Sequence, residues 1–365
     1  MTSYFMPTKI ISGKDCIKAN AALFKSFGKK ALIVTGTHSA KLNGSEADII
    51  SALKENGQEW CIYDKVTANP TIDCCYDGAE FSKSENVDFI VAIGGGSPMD
   101  AAKAIALLSK QDIPKENLFS GGYSDDVLPM IFVPTTAGTG SEVTPYSILT
   151  NDKLKTKTSI ASPHFFPKIA FLDAAYTKSL SPKTAVNTAI DAFSHAAEGI
   201  LSVKAGFVSD AVAVESLRRV SSCFDSLCSG TLSDEERENL LEASTLAGMV
   251  IANTGTTAVH AMGYPLTYFR HIDHGRANGL VLGGFLKLIE KSAPEKITMI
   301  LNACKMKSTD ELCKKLSDLL GEKENLSDEE IKEFSEISSK AKNIHNCIVI
   351  VDKNDITELF KKSFN

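Results

Sequence analysis

Asp191 and His195 stand four residues apart in TAIDAFSHAAEG, a stretch with a helical pattern, so their side chains leave one face of a helix one turn apart. Four of the chain's seven histidines, His195, His260, His271 and His274, fall between positions 195 and 274. His260 lies in GTTAVHAMGYP, which reads as a helix stopped by Pro265. His274 lies in DHGRANG, at the start of the next helix. One carboxylate and three imidazoles make a four-ligand site for a borderline divalent cation, Fe2+ or Zn2+. An Asp–His pair at this spacing is as a class more often a surface pair or a buried, hydrogen-bonded histidine, so spacing alone does not fix the set. His38, His164 and His345 read as structural or exposed.

A second chemistry lies in the first half. Gly94-Gly95-Gly96-Ser97 joins the β-rich run FIVAIG to the helical PMDAAKAIALLS, with Pro98 expected as the first helical residue. Bare amides at a helix N-terminus suit a pyrophosphate, and glycines let it approach the backbone. The GxGxxG fingerprint is absent, and the loop follows what counts as the third strand, so a standard Rossmann domain is the wrong template. PTTAGTGSEVTPYS is a second small-residue loop after a strand, dense in hydroxyls at Thr135, Thr136, Thr139 and Ser141. Two such loops at strand C-terminal ends point to a cofactor cleft.

The elements that position these groups divide the chain. ALIVTG, EWCIYD, FIVAIG and PMIFVPTT read as buried strands, and they alternate with helical stretches at Ser45–Gly57, with Ser45 as cap, at Thr71–Ser84 and after the glycines. This alternation implies an α/β N-terminal domain, a parallel sheet with helices on both faces, over residues 1–180. Beyond the IAFLD strand, Ser181 as cap and Pro182 open a series of helices. An all-α C-terminal domain is expected over residues 181–365, with NCIVIVDK as an extended exception.

The bulk properties exclude several functions. The net charge of -6, with no basic block, argues against a nucleic-acid or anionic-membrane partner. Nine scattered cysteines without CxxC spacing exclude a disulfide framework or zinc ribbon and suit a reducing, cytoplasmic compartment. MTSYFMPTKIISG lacks a signal-peptide pattern, and no apolar run reaches the roughly 18 residues that span a bilayer.

At these residues the sequence resembles the iron-containing alcohol dehydrogenase family. GGGSPMDAAK is similar to its phosphate loop, and PTTAGTGSEVT to its nicotinamide-side loop. AIDAFSHAAE, MVIANTGTTAVHAMGYPL and HGRANG complete the set in order. The resemblance implies a dinucleotide-binding domain, a helical domain and a metal in the cleft between them. It implies Asp191, His195, His260 and His274 as ligands of Fe2+, with Zn2+ the other candidate. Gly94, Gly95, Gly96 and Ser97 fall on the pyrophosphate loop, Thr135, Thr136 and Thr139 on the second cofactor loop, and Lys157 near the nicotinamide ribose.

The activity implied is hydride transfer between a nicotinamide cofactor and a small alcohol or aldehyde, in a homo-oligomer such as a dimer. A zinc-dependent polyol dehydrogenase of the glycerol type is the alternative. His271, three residues before a ligand, is the candidate proton relay and so the candidate catalytic residue. Small apolar residues such as Ile251 and Ala252 are expected beside the metal, favouring short linear aldehydes. NAD-using relatives carry an aspartate just after the first strand, where this chain has Gly36 in Val34-Thr35-Gly36. Without that carboxylate, and with Thr37, Ser39 and Lys41 following, NADP(H) is expected in preference to NAD(H). The chain departs from the family at Tyr264, where many relatives have a histidine, and at Asn346-Cys347, where Asn-Pro-Arg is usual.

Overall fold

The computed structural model describes residues 3–153 and 156–364. They form two compact units. One comprises Met6–Thr136 and Ser141–Leu180, the other Met1–Phe5, Ala137–Gly140 and Ser181–Asn365.

The first unit carries strands β1 (Lys9–Ser12), β2 (Lys30–Thr35), β3 (Glu59–Tyr63), β4 (Phe89–Gly94), β5 (Met130–Pro134), β6 (Tyr146–Asn151), β7 (Thr156–Ala161) and β8 (Ile169–Leu172). Its helices are α1 (Cys16–Ala19), α2 (Ser39–Asn43), α3 (Ser45–Glu55), α4 (Ile72–Ser84) and α5 (Gly96–Leu108). Six strands form a parallel sheet in the order β1-β8-β5-β4-β2-β3, and β6 and β7 form an antiparallel pair. Side chains alternate faces along a strand. Leu32, Ile90 and Met130 are in register and pack with α5 residues such as Met99 and Ile105. Their neighbours Ile33, Val91, Ile131 and Ile169 line the other face with Ile17, Phe24, Ile49 and Leu53. Both faces are covered, which is why these strands read as unbroken apolar runs.

The strand order reverses between β2 and β4, since β3 lies beyond β2 while β5 and β8 lie beyond β4. Open α/β sheets bind ligands outside the carboxyl ends of strands at such a switch point. Here those ends carry Gly36 and the Gly94–Ser97 loop.

Three local readings change. The glycine loop follows the fourth strand, because β1, only four residues long, pairs with β8 and carries no pattern of its own. Helix α5 begins at Gly96, two residues before Pro98. Helix α3 begins at Ser45 after Gly44 in a left-handed conformation, so Ser45 opens the helix; its hydroxyl bonds Asn43 Oδ1. Thr71 caps α4, accepting from Cys74 N at 3.2 Å, at the start of the helix expected over Thr71–Ser84.

The second unit is helical: α6 (Pro182–Ile200), α7 (Phe207–Ser222), α8 (Phe224–Ser229), α9 (Asp234–Thr254), α10 (Ala258–Arg270), α11 (His274–Glu290), α12 (Pro294–Cys304), α13 (Thr309–Leu320), α14 (Asp328–Ser339) and α15 (Lys353–Phe364). Ser181 caps α6 through Thr184 N at 3.1 Å, with Pro182 first in the helix. Helix α6 is central, packed by α7, α9 and α11.

Pro265 does not end α10, which runs on to Arg270. A proline removes one ladder bond, but beyond it Leu266 is fully buried and Phe269 stacks on Phe334 of α14 with ring centroids 5.5 Å apart, which holds the last turn in place. The stretch expected to be extended at residues 346–353 makes one antiparallel bridge, Ser202 with Cys347, before α15 starts.

Candidate active site

Within the helical unit, three helices bring the expected metal ligands together. Asp191 and His195 share one face of α6, His260 lies in the first turn of α10, and His274 opens α11. Close helix approach makes this geometry. A Cβ on Gly275 would lie 1.9 Å from Asn187 O, and one on Gly279 would lie 2.6 Å from Ile190 Cγ2. Glycine at these two positions of α11 therefore lets its backbone settle against α6 and carries His274 to Asp191.

The three imidazole Nε2 atoms surround one carboxylate oxygen. Asp191 Oδ1 is 4.0 Å from His195 Nε2, 3.7 Å from His260 Nε2 and 4.0 Å from His274 Nε2. Ligand atoms of Asp191, His195 and His260 all lie within 4.8 Å of one another, and all three residues are buried. A tetrahedral cation with bonds of about 2.1 Å separates its donors by about 3.4 Å, so the cluster is close to the size such an ion requires. His195 and His260 stack with centroids 4.6 Å apart, and Tyr264, one turn after His260, stacks on His274 at 5.8 Å. The position where relatives carry a histidine is thus filled by an aromatic wall.

Two of the rings are held by their other nitrogen. His195 Nδ1 lies 3.3 Å from Gly138 O, so Nδ1–H donates to that carbonyl and Nε2 presents a lone pair to Asp191. His260 Nδ1 donates to Glu198 Oε2. Glu198 is fully buried, and its Oε1 accepts from Thr257 N at 2.8 Å, Thr257 Oγ1 at 2.7 Å and Val259 N at 3.0 Å. One carboxylate from α6 therefore caps α10 and fixes the tautomer of His260. Burial works to raise the Glu198 carboxyl, but His260 and the Thr257 donors outweigh it and hold it below the usual range. His195 is pushed below the usual imidazole value, chiefly by burial and against the pull of Asp191, which keeps it a neutral ligand.

In the α/β unit, Gly94 adopts φ 148°, and a Cβ there would meet Pro98 Cγ at 2.7 Å. A Cβ on Gly95 would lie 3.0 Å from Thr136 Oγ1, so the two cofactor-type loops are in contact. No side chain caps α5 at Gly95. Ser97 Oγ accepts from Asn69 N at 3.1 Å, and Thr135 N donates to Gly94 O at 2.9 Å. Lys157 lies on β7 opposite Thr150; burial pushes the nearby Asp100 carboxyl up, against the pull of Lys103, the Ser141 hydroxyl and Lys157. Thr139 belongs with the helical unit, beside Gly138 and Gly140, whose Cβ positions would meet Thr188 and Gly248.

Comparison with known proteins decides the family. The profile of iron-containing alcohol dehydrogenase matches residues 7–174, and that of the C-terminal region of the Fe-containing alcohol dehydrogenase family matches residues 185–364.

The chain belongs to the iron-containing alcohol dehydrogenase family.

A solved iron-containing alcohol dehydrogenase from Thermotoga maritima superposes with a TM-score of 0.92 at 38% identity, covering 100% of this chain and 99% of that one. The NADPH-dependent butanol dehydrogenase of Clostridium saccharobutylicum is 29% identical over 82% of this chain and 77% of its own length. A sulfoacetaldehyde reductase from Bifidobacterium kashiwanohense, solved with NAD+, has a TM-score of 0.89 and 29% identity over 99% and 98% of the two chains. The protein is accordingly a metal-dependent oxidoreductase acting on alcohols or aldehydes, and the zinc polyol dehydrogenase alternative is not favoured.

As an iron-containing alcohol dehydrogenase the chain must hold a divalent metal, and its residues fit one. Four donors face inward, and a buried carboxylate encircled by imidazole lone pairs is the arrangement a cation neutralises. His271 is the exposed, left-handed C-cap of α10, φ 52°, three residues before His274.

Three residues of the site escaped the sequence reading. Glu198 was visible as the third member of a D-x3-H-x2-E spacing on one helix face. Asn278, one turn after His274, approaches three ligands. Lys103, fully buried, donates to Ser141 O at 2.8 Å, Ser141 Oγ at 2.8 Å, Thr144 Oγ1 at 3.2 Å and Tyr146 O at 2.7 Å. It ties α5, which starts at the glycine loop, to the second loop at Ser141, Thr144 and Tyr146. A lysine two turns into an Ala-rich helix gives no sequence sign of such a role.

Proposed function

We propose that Asp191, His195, His260 and His274 together hold one divalent cation, iron in preference to zinc, in an enzyme that reduces short linear aldehydes with NADP(H). The convergence of three imidazole Nε2 atoms on Asp191 Oδ1 carries the metal assignment. When bound, the cation supplies Lewis acidity toward a hydroxyl or carbonyl oxygen, and the nicotinamide supplies or accepts the hydride.

The chain's own residues do the rest. Glu198 and Gly138 O keep His260 and His195 as neutral Nε2 donors. Buried Asp191 provides the one negative charge among the four ligands. Gly94 to Ser97 open α5 with uncapped amides suited to a pyrophosphate. Thr135 and Thr136 flank that loop, and Lys157 is assigned to the nicotinamide ribose. Ile251 and Ala252 of α9 are assigned to the substrate pocket as small apolar wall. His271, exposed and three residues before His274, is assigned the proton relay to solvent.

The NADP(H) preference rests on Gly36. It follows β2 at the switch point of the sheet and offers no carboxylate to repel a 2′-phosphate. Lys41, 2.9 Å from Asp64, is the nearby cation we assign to that phosphate. The relatives' names include both an NADPH-dependent enzyme and one solved with NAD+, so the choice is made locally within the family. Nine free cysteines support a reducing, cytoplasmic setting, and no described helix is long and apolar enough to cross a membrane. A homo-oligomer, at its simplest a dimer, is the further expectation and is read by light scattering after gel filtration.

The test of the function is NAD(P)H absorbance with short alcohols, aldehydes and polyols, on protein loaded anaerobically with Fe2+ and separately with Zn2+. Turnover of butanal-type aldehydes with NADPH and iron supports the reading. Activity confined to polyols with zinc overturns it.

A further inference from the structure

The Asn278 amide occupies an unusual place. Its Nδ2 lies 2.9 Å from Asp191 Oδ1, 3.1 Å from His260 Nε2 and 3.3 Å from His274 Nε2. Asp191 Oδ1 and His260 Nε2 are acceptors, one for each of the two amide hydrogens, and His274 Nε2 lies beside them. Asp191 presents a carboxylate oxygen, and His260 presents a lone pair because its Nδ1–H is committed to Glu198. Acceptors crowd in this way only around a donor or a cation, and the amide nitrogen is the donor they share. Asn278 is fully buried, so water does not compete for its N–H groups.

The amide is aimed by its surroundings. Asn278 lies on the α11 face that meets α10 and α6, one turn after His274. Its oxygen sits against Gly263 of α10, where an added Cβ would lie 2.0 Å from Oδ1. Any side chain at 263 would drive the amide out of its seat. Glycine at that position and asparagine at 278 are therefore parts of one device.

We propose that Asn278 is a positioning residue, which holds Asp191 and His260 in ligand geometry beside His274 by donating its two Nδ2 hydrogens to them and stays bonded to Asp191 when the cation is in place. A carboxylate oxygen has lone pairs enough for both partners. Partners that orient metal ligands in this way typically change affinity 10–100-fold when lost. The inference rests on the metal assignment above, and its test separates the two.

The experiment measures Co2+ affinity and the cobalt d–d absorption of wild type, Asn278→Leu and Gly263→Ala, with circular dichroism as the control for folding. Leucine keeps the branched shape and removes the donor. Alanine at 263 leaves Asn278 in the sequence, favours the helix and displaces the amide. Both variants are expected to bind Co2+ roughly 10–100-fold more weakly, with a shifted or weakened d–d band. Should Asn278→Leu fail to fold, Asn278→Ala and Gly263→Ala carry the same expectation. Wild-type affinity and an unchanged band in folded variants would show that Asn278 merely fills space and overturn the proposal. Absence of Co2+ binding by wild type would instead overturn the metal assignment itself.

Discussion

Replacing Gly36 by aspartate should reverse the nucleotide preference. The backbone accepts the change: Gly36 has no left-handed φ, and its added Cβ would meet only Val66 O, at 3.3 Å. The new carboxylate stands at the end of β2, next to β4 where the strand order reverses and the glycine loop begins. There it would face a 2′-phosphate carrying a charge near -1.5 to -2. Two like unit charges about 4 Å apart repel by roughly 1 kcal/mol in water and roughly 4 kcal/mol at the effective dielectric of a protein surface. An intermediate, partly solvated site gives about 2–3 kcal/mol, or a change of roughly 30–150-fold. The assay is kcat/KM for NADPH and NADH with one short aldehyde. Wild type should favour NADPH, and Gly36→Asp should move the ratio toward NADH by about that factor. Lys41→Ala should weaken NADPH and leave NADH unchanged. A wild-type preference for NADH, or a ratio unmoved in Gly36→Asp, refutes the reasoning.

Other outcomes follow from the same structure. Lys103→Met leaves the Ser141 and Tyr146 carbonyls without their buried donor and Asp100 without its counter-charge, so it should cost about 3–5 kcal/mol of stability by denaturant melt. Burial pushes the Lys103 amine from 10.5 down to about 8, so above pH 8 the unfolded chain holds this proton more firmly than the native one. The stability advantage of wild type over Lys103→Met should therefore grow between pH 8 and 10.5 and be constant below. Glu198→Gln keeps an acceptor for the α10 amides but weakens the hold on His260 Nδ1. It should lower metal affinity roughly 10–100-fold by competition with a chelator, with helix content preserved. Metal at 100 times its Kd should stabilise wild type by about 2.7 kcal/mol, a gain that chelator removes and that Asp191→Asn does not show.

The parallel sheet was legible because its strands are buried on both faces and read as continuous apolar runs between capped helices, as at Thr71 and Ser181. β1 was not, since its four residues have a mixed burial pattern and pair only with β8, some 160 residues away in sequence. Pro265 misled because tertiary packing of Leu266 and Phe269 outweighs the single ladder bond that proline removes. At the site, the ligand types were readable from spacing and resemblance. Their supports were legible only in part: Glu198 shares the spacing of Asp191 and His195, but what it and Asn278 reach across helices depends on glycines at 263, 275 and 279 that bring those helices together. Nothing in a one-dimensional pattern distinguishes such glycines from ordinary helix weak points.

The central claim is that one cation is held by Asp191, His195, His260 and His274. Metal content by inductively coupled plasma mass spectrometry tests it most directly, on wild type, His260→Ala and His274→Ala loaded anaerobically with Fe2+ and gel-filtered. Wild type should retain about one equivalent per chain, and each variant should retain almost none while keeping its circular dichroism spectrum. Variants that hold a full equivalent and reduce aldehyde at the wild-type rate would contradict the account.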